Sequence, residues 1–309
     1  MIIMERIVGI EPPDYSRMNG WLEGISYEYG DFFDSINAGS SLLGRRINGL
    51  LIGNSISPAL YCGGVHGREW ITTLLLMRFV EELLYAYSRR RRMCDIDIYK
   101  LLNAKGVLIV PVLNPDGVEI SINGAEQAGI SPELSGEIAE LCKNREFSEK
   151  WKANARGVDI NRNFDAAWDE MRSIAQESGI TGPSMSGWTG EHPESEPETQ
   201  AIVRLCRFMR FRHTIAFHSQ GEEIYWNYRS FTPSKAHLMA RILSVSSGYP
   251  LREPQESASS AGLKDWFMEK YHAPAFTVEI GSGECPIPLS HFRFLYSRLR
   301  EMLVLGVAM

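Results

Sequence analysis

Hydrophobic and polar positions along this chain follow two periods and switch between them repeatedly. Residues 58–64 read as a short buried strand ending in glycines. Residues 106–114 (GVLIVPVLN) form a nearly continuous apolar run, the mark of a strand covered on both faces. Two further strands are predicted at 214–220 (TIAFHSQ) and 223–228 (EIYWNY), and another buried one at 275–281 (AFTVEIG). Between them lie helical patterns. A broad apolar face runs over 70–90, and an amphipathic run over 195–210 opens with a serine cap and an acidic first turn. Further helices are expected over 234–247, 262–272 and 291–307. NPDG (114–117) is a strong turn signal, and 117–154 and 179–193 are loop-rich. Alternating strands and helices, without an internal repeat or a low-complexity linker, predict one α/β domain over 1–309 around a mostly buried sheet.

Composition narrows the partners. With 309 residues, 44% hydrophobic and 23% charged, the chain can build an ordinary core and is not a disordered polymer. Lys and Arg number 32 against 38 Asp and Glu, which argues against a nucleic-acid partner. The one dense basic cluster, Arg89 to Arg92, reads as a solvated helix end. No apolar stretch approaches the ~20 residues needed to span a bilayer. The first residues mix acidic and basic side chains without an apolar signal core. No membrane partner and a cytoplasmic location are therefore expected. The five cysteines are scattered, odd in number and free of CxxC pairs, so reduced thiols are expected.

Candidate chemistry begins at HGRE (66–69). His66 and Glu69, three residues apart just after a strand and two glycines, can converge on one metal, and imidazole plus carboxylate suits zinc. A catalytic zinc needs a third ligand and an open position. His218, at the end of TIAFH, is the candidate, because strand ends of α/β sheets open into the site crevice. A hydrogen-bonded core histidine is the competing reading. Glu279 lies inside an apolar strand, where a carboxylate is either neutralised by a partner or poised for catalysis. His192, His213, His237, His272 and His291 lack ligand spacing. Tyr225, Trp226 and Tyr228 read as core packing more than as a ligand platform.

HGRE (66–69), NPDG (114–117), GVDINRNF (157–164), SEPET (195–199), FHSQ (217–220) and TVEIG (277–281), in this order and spacing, resemble the zinc carboxypeptidase family of metallopeptidases. The motifs span 58–283 and leave about the first 55 residues uncovered. The resemblance implies a three-layer α/β/α sandwich around a mixed, mainly parallel sheet of about eight strands. It also implies one zinc ion per chain on His66, Glu69 and His218, with Glu279 as general base. Asp159 matches the aspartate that orients a ligand histidine, here His66, and Asn161 and Arg162 match the clamp on a substrate carboxylate. Lys152 occupies the position of the oxyanion-stabilising arginine, and Arg156 is close enough to substitute. Cys285 has no part in such a mechanism.

WKANARGVD (151–159), HSQGEEIYW (218–226) and GLKDWF (262–267) further resemble the γ-D-glutamyl-L-diamino acid peptidases, which cut peptidoglycan stem peptides between D-glutamate and meso-diaminopimelate. Ser257 stands where digestive carboxypeptidases have a mobile tyrosine, so that lid is expected to be missing. Lys264 stands at the base of the specificity pocket, where an ammonium favours a substrate carboxylate. Glu222 or Glu223 is the candidate partner for the diaminopimelate amine. The resemblance thus implies a peptidoglycan-derived peptide as substrate. Two other readings stand beside it: an ordinary zinc carboxypeptidase releasing C-terminal, perhaps acidic, residues from α-linked peptides, and an inactive binding module on the same fold. Nothing in the sequence determines the oligomeric state.

Overall fold

A computed structural model describes residues 6–130, 148–253 and 260–309. Its strands are β1 (Asp34–Ser40), β2 (Arg46–Ile52), β3 (Ala59–Cys62), β4 (Arg92–Met93), β5 (Ile96–Asp97), β6 (Val107–Val110), β7 (Thr214–His218), β8 (Glu223–Tyr225), β9 (Leu251–Arg252) and β10 (Ala275–Glu279). Eight of them form one sheet in the order β1-β2-β6-β3-β7-β10-β8-β9, and β4 pairs with β5 apart from it. The central strands β6, β3, β7 and β10 run parallel, while β1, β2 and β8 join antiparallel. This is the mixed sheet that the resemblance implies. β1 and β2 both fall within the first 55 residues, which no motif covers.

Consecutive residues of the central strands face opposite layers, and both layers are apolar. Leu60, Leu108, Ala216 and Ala275 join a cluster with side chains from the helices Pro197–Phe208 and Leu263–Tyr271. Tyr61, Ile109, Phe217, Phe276 and Val278 join another, with side chains from the helices Tyr15–Tyr29, Ile71–Ser88, Ala236–Ser247 and Phe292–Ala308. The result is a helix–sheet–helix sandwich. Tyr61 is fully buried and still satisfied: its Oη donates to Leu303 O at 2.8 Å, and its ring meets Phe217 edge-on at 5.6 Å.

Helix Ile71–Ser88 is apolar nearly all round because it lies under the sheet. Its buried Glu81 accepts a hydrogen bond from Ile7 N at 2.7 Å, which ties the N-terminal segment to this layer. The helix ends at Ser88, and the arginines that follow are exposed, Arg90 lying over the Tyr99 ring at 4.3 Å.

Three local expectations are corrected. NPDG is not a free turn but the start of helix Pro115–Asn123. Asn114 caps it by accepting from Gly117 N at 2.9 Å, and Pro115 occupies the first turn, where its missing N–H costs nothing. Ser195 does not cap helix Pro197–Phe208; its hydroxyl donates to Glu196 Oε1 at 2.8 Å, and Glu196 holds the cap position. The strand expected over 223–228 stops at Tyr225, and the Asn227 carbonyl accepts from Lys264 Nζ at 2.7 Å instead of from a neighbouring strand.

A buried polar cluster fixes the loops around the site. Asp116 accepts from Ser41 Oγ, Leu43 N and Arg45 Nη1, each at 2.8 Å. Glu198 accepts from Leu42 N at 3.0 Å and Asn154 Nδ2 at 3.1 Å, and the same amide donates to Glu196 at 2.7 Å. Burial, and then the neighbouring Asp116 charge, push the Glu198 carboxyl up to about 7 from an ordinary 4.5. Between those values the unfolded chain releases this proton while the folded chain keeps it. Stability therefore falls as pH rises through that window, by on the order of 3 kcal/mol for this group. Glu198→Gln is expected to flatten this part of the pH–stability curve in denaturant titrations, and a slope unchanged in the variant assigns it to other groups.

Candidate active site

The C-terminal ends of three adjacent parallel strands deliver the polar groups. After β3 the chain turns through Gly63 and Gly64, reaches His66 and forms a short 3-10 turn, Gly67–Glu69, ahead of helix Ile71–Ser88. β7 ends on His218 and β10 on Glu279, and the parallel register sets these two residues side by side. His66, Glu69 and His218 meet in a buried triad whose potential ligand atoms all lie within 4.8 Å of one another. His66 Nδ1 is 2.9 Å from Glu69 Oε1, His218 Nδ1 is 3.0 Å from Glu69 Oε2, and the two Nδ1 atoms are 3.2 Å apart.

Asp159 settles the His66 tautomer. Its Oδ1 lies 3.0 Å from His66 Nε2, so Nε2 donates and the Nδ1 lone pair faces the triad. The carboxylate is itself fixed, accepting from Asn161 N at 3.1 Å and Gly187 N at 3.0 Å. Burial opposes its charge, but His66, Arg162 and Lys152 outweigh burial and hold the carboxyl well below the usual range. Two nitrogen donors and a carboxylate converging in this way fit a zinc ion, which meets all three lone pairs at once. His218 lacks a matching aspartate: its Nε2 is buried with no hydrogen-bond partner among the described residues. The backbone pairing of β7 with β10 orients this residue.

The HGRE loop is strapped to residues 151–153. Gly67 N donates to Lys152 O at 3.1 Å and Arg68 N to Trp151 O at 2.8 Å. The approach is so close that a Cβ on Gly67 would lie 2.2 Å from Gly117 O and 2.7 Å from Trp151 O. Asn114 closes the strap, its Nδ2 reaching Val65 O at 3.2 Å and Ala153 O at 3.1 Å. The strap places Lys152 Nζ 3.4 Å from Glu69 Oε1. Glu279 stands partly exposed at the cleft. Burial first, then the Glu69 charge, push its carboxyl up to about 8, against the opposing pull of Lys152 and His66.

The zinc carboxypeptidase family model matches residues 18–292, so the family signal begins well ahead of HGRE. The chain belongs to the zinc carboxypeptidase family. As a zinc carboxypeptidase it is a metallopeptidase and a hydrolase that uses zinc, and its triad supplies three ligands. It is 35% identical to γ-D-glutamyl-L-diamino acid endopeptidase 1 of Lysinibacillus sphaericus over 95% of this chain and 72% of that protein. In structure it resembles bovine thrombin-activatable fibrinolysis inhibitor, with a TM-score of 0.73, 24% identity and 97% of each chain covered. It also resembles the murein-tripeptide amidase of Escherichia coli O157, with a TM-score of 0.52, 22% identity, and 87% of this chain and 91% of that one covered.

Other residues singled out in this zinc carboxypeptidase fall at varied distances from the triad. Asn161 and Arg162 form a 3-10 turn directly after Asp159. The Asn161 side chain accepts from Leu263 N at 3.1 Å, joining this turn to helix Leu263–Tyr271. Arg162 Nη1 donates to Asn161 O at 3.0 Å, and its charge helps to keep Asp159 ionised. Arg156 points elsewhere: it is 44% exposed and pairs with Glu196 at 3.8 Å, whereas Lys152 lies at the triad. Lys264 is not an exposed helix lysine. It is 5% exposed, bonded to Asp265 and Asn227 O, and lies 5.5 Å from the Tyr228 ring centre, so its charge is largely neutralised from within. Ser257 and Cys142 lie outside the described residues, and the other four cysteines are free. No described helix is long and apolar enough to cross a membrane.

Two more of the residues weighed in the sequence lie near the triad. Cys285 Sγ lies 3.5 Å from Ser219 Oγ and donates to Arg68 O at 3.4 Å; burial and then the Glu69 charge push its thiol up to about 11, so it is neutral near pH 7. Glu223 lies beside Glu279 across the β8–β10 pair. His213, by contrast, is a core residue, its Nε2 3.0 Å from Gly306 O and its ring kept neutral by burial.

The Asp159–His66 bond leads to a direct test. Asp159→Asn is expected to weaken zinc binding about 10- to 100-fold in competition titrations with a chromogenic chelator. Gly67→Ala, which forces the ligand turn off Gly117 O, is expected to lower zinc occupancy as well. Wild-type affinity in both variants would show that neither contact positions the ligands.

Proposed function

We propose that the protein hydrolyses the γ-D-glutamyl–meso-diaminopimelate bond of peptidoglycan stem peptides. The observation that carries this reading is the 35% identity to the Lysinibacillus sphaericus endopeptidase across nearly the whole chain. The HSQGEEIYW and GLKDWF segments at the cleft support it. Arg162, in the turn directly after Asp159, favours a substrate with a free carboxylate next to the cut, such as L-Ala-γ-D-Glu-meso-diaminopimelate.

In this reading His66, Glu69 and His218 hold zinc, which when bound supplies the Lewis acidity that polarises the scissile carbonyl. Asp159 keeps His66 in the ligating tautomer. The Glu279 carboxylate takes a proton from the attacking water and hands it to the leaving amine. Its burial favours the protonated form, and the Lys152 ammonium favours the carboxylate; a general base near neutral pH needs both. Lys152, whose ammonium already lies 3.4 Å from Glu69, stabilises negative charge developing on the carbonyl oxygen. Arg162 and Asn161 orient the substrate carboxylate, and Lys264, held by Asp265 and the Asn227 carbonyl, is the contact for the side-chain carboxylate of diaminopimelate.

Mass spectrometry of products tests the reading. Zinc-loaded enzyme is expected to release free diaminopimelate from L-Ala-γ-D-Glu-meso-diaminopimelate and to leave an acidic-tailed α-linked peptide intact. Cleavage of the α-linked peptide alone would establish an ordinary carboxypeptidase instead. Glu279→Gln is expected to lower kcat by at least about 100-fold while the fold is kept. Lys264→Ala is expected to narrow the preference for diaminopimelate over lysine, and an unchanged preference would remove Lys264 from recognition.

A further inference from the structure

β8 and β10 are antiparallel, with Glu223 opposite Glu279 and Tyr225 opposite Thr277. Side chains alternate along a strand, so these four residues share one face of the sheet, while Ile224 and Val278 pack into the apolar layer behind. That shared face carries the cleft, because Glu279 is on it. Glu223 and Glu279 are near neighbours there. A Cβ placed on Gly221 would lie 3.2 Å from Glu223 Cγ and Oε1 and 3.2 Å from Glu279 Cβ, so the two side chains close in on this glycine from neighbouring strands.

Glu223 is held in place from two sides. Tyr225 Oη donates to its Oε1 at 2.6 Å, and Arg252 Nε donates to its Oε2 at 3.2 Å. Each oxygen keeps a lone pair for a further donor. The Arg252 contact is at the surface and screened, with that side chain 59% exposed, so it does not cancel the carboxylate toward the cleft. Glu222 is differently placed: its Oε1 pairs with Arg298 Nη1 at 2.9 Å, and Arg298 belongs to helix Phe292–Ala308 of the opposite layer. A fixed carboxylate one strand away from the general base accepts a cationic group of the substrate close to the bond being cut.

We propose that Glu223, oriented by Tyr225 and Arg252, is the specificity-determining residue that binds the side-chain ammonium of the diamino acid released by the enzyme. This rests on the reading that the substrate is a γ-D-glutamyl–diaminopimelate peptide. A substrate ammonium has two sources, the side chain of the diamino acid and the free α-amine of the N-terminal alanine, and the experiment separates them.

Three peptides are compared by kcat/KM: L-Ala-γ-D-Glu-meso-diaminopimelate, the same peptide ending in 2-aminopimelate (side-chain carboxylate kept, amine removed), and the N-acetylated parent. Wild type is expected to favour diaminopimelate over 2-aminopimelate by about 10- to 100-fold, mainly through KM, as a charge-assisted hydrogen bond gives. Glu223→Gln is expected to bring that ratio within about threefold, Glu223→Asp to retain part of it, and Glu222→Gln to keep it. N-acetylation is expected to cost wild type and Glu223→Gln the same factor. A ratio that survives in Glu223→Gln, a wild type indifferent to the side-chain amine, or a Glu223→Gln defect that follows the N-terminal amine would each overturn the assignment. If wild type cleaves no γ-linked peptide but trims α-linked ones, the functional reading falls and this assignment with it. That outcome is distinct from the first three, in which the parent peptide is still cut.

Discussion

A strand covered on both faces has no place for a polar side chain except at its ends, and this constraint governs the molecule. β3, β6 and β7 are buried at every residue, so their side chains are apolar or small along the run. Polarity is released where the strands stop: at His66 just beyond β3, at Asn114 beyond β6, at His218 on the last residue of β7 and at Glu279 on the last of β10. Parallel pairing brings these ends to one edge of the sheet. The two apolar layers that stabilise the sheet therefore also concentrate its chemistry in one crevice.

Within that crevice the charges are interdependent. Glu69 spans both histidines with its two oxygens, accepts from Ser219 N at 3.2 Å and faces Lys152. Its charge is held low in proton affinity by these partners against the cost of burial, and the same charge raises the proton affinity of Glu279 and of the Cys285 thiol. A dication on the triad offsets Glu69 and moves these neighbours with it. Burial and this one carboxylate thus together raise the proton affinities of Glu279 and Cys285, and Asp159, one hydrogen bond farther out, sets the direction in which His66 presents its lone pair.

Much of the fold and the triad was legible because each rests on a local pattern. Continuous apolar runs marked the buried strands, and the polar residues ending them marked the site. Where local chemistry is shared by two structures, the reading went astray. An Asn-Pro pair opens a turn and caps a helix equally well, and NPDG does the latter, with the chain continuing as helix through VEISIN. Lys264 was legible as a position but not as an environment: that its ammonium is taken up by Asp265 and Asn227 O depends on where the chain goes after β8. Cys285 and Arg68 meet across 217 positions of sequence, a contact no periodicity encodes. For Glu223, strand alternation pairs it with Tyr225, yet which face looks into the cleft is decided only by the partner strand β10.

The two hydrogen bonds that join Gly67 and Arg68 to residues 151 and 152 have a consequence for how this site can change. The ligand turn and the lysine beside it share one piece of backbone, so a shift of either drags the other. The ligand turn and Lys152 cannot drift apart by small steps, because a displacement that relaxes one misplaces the other. Substitutions on the two sides of this junction should therefore compound non-additively.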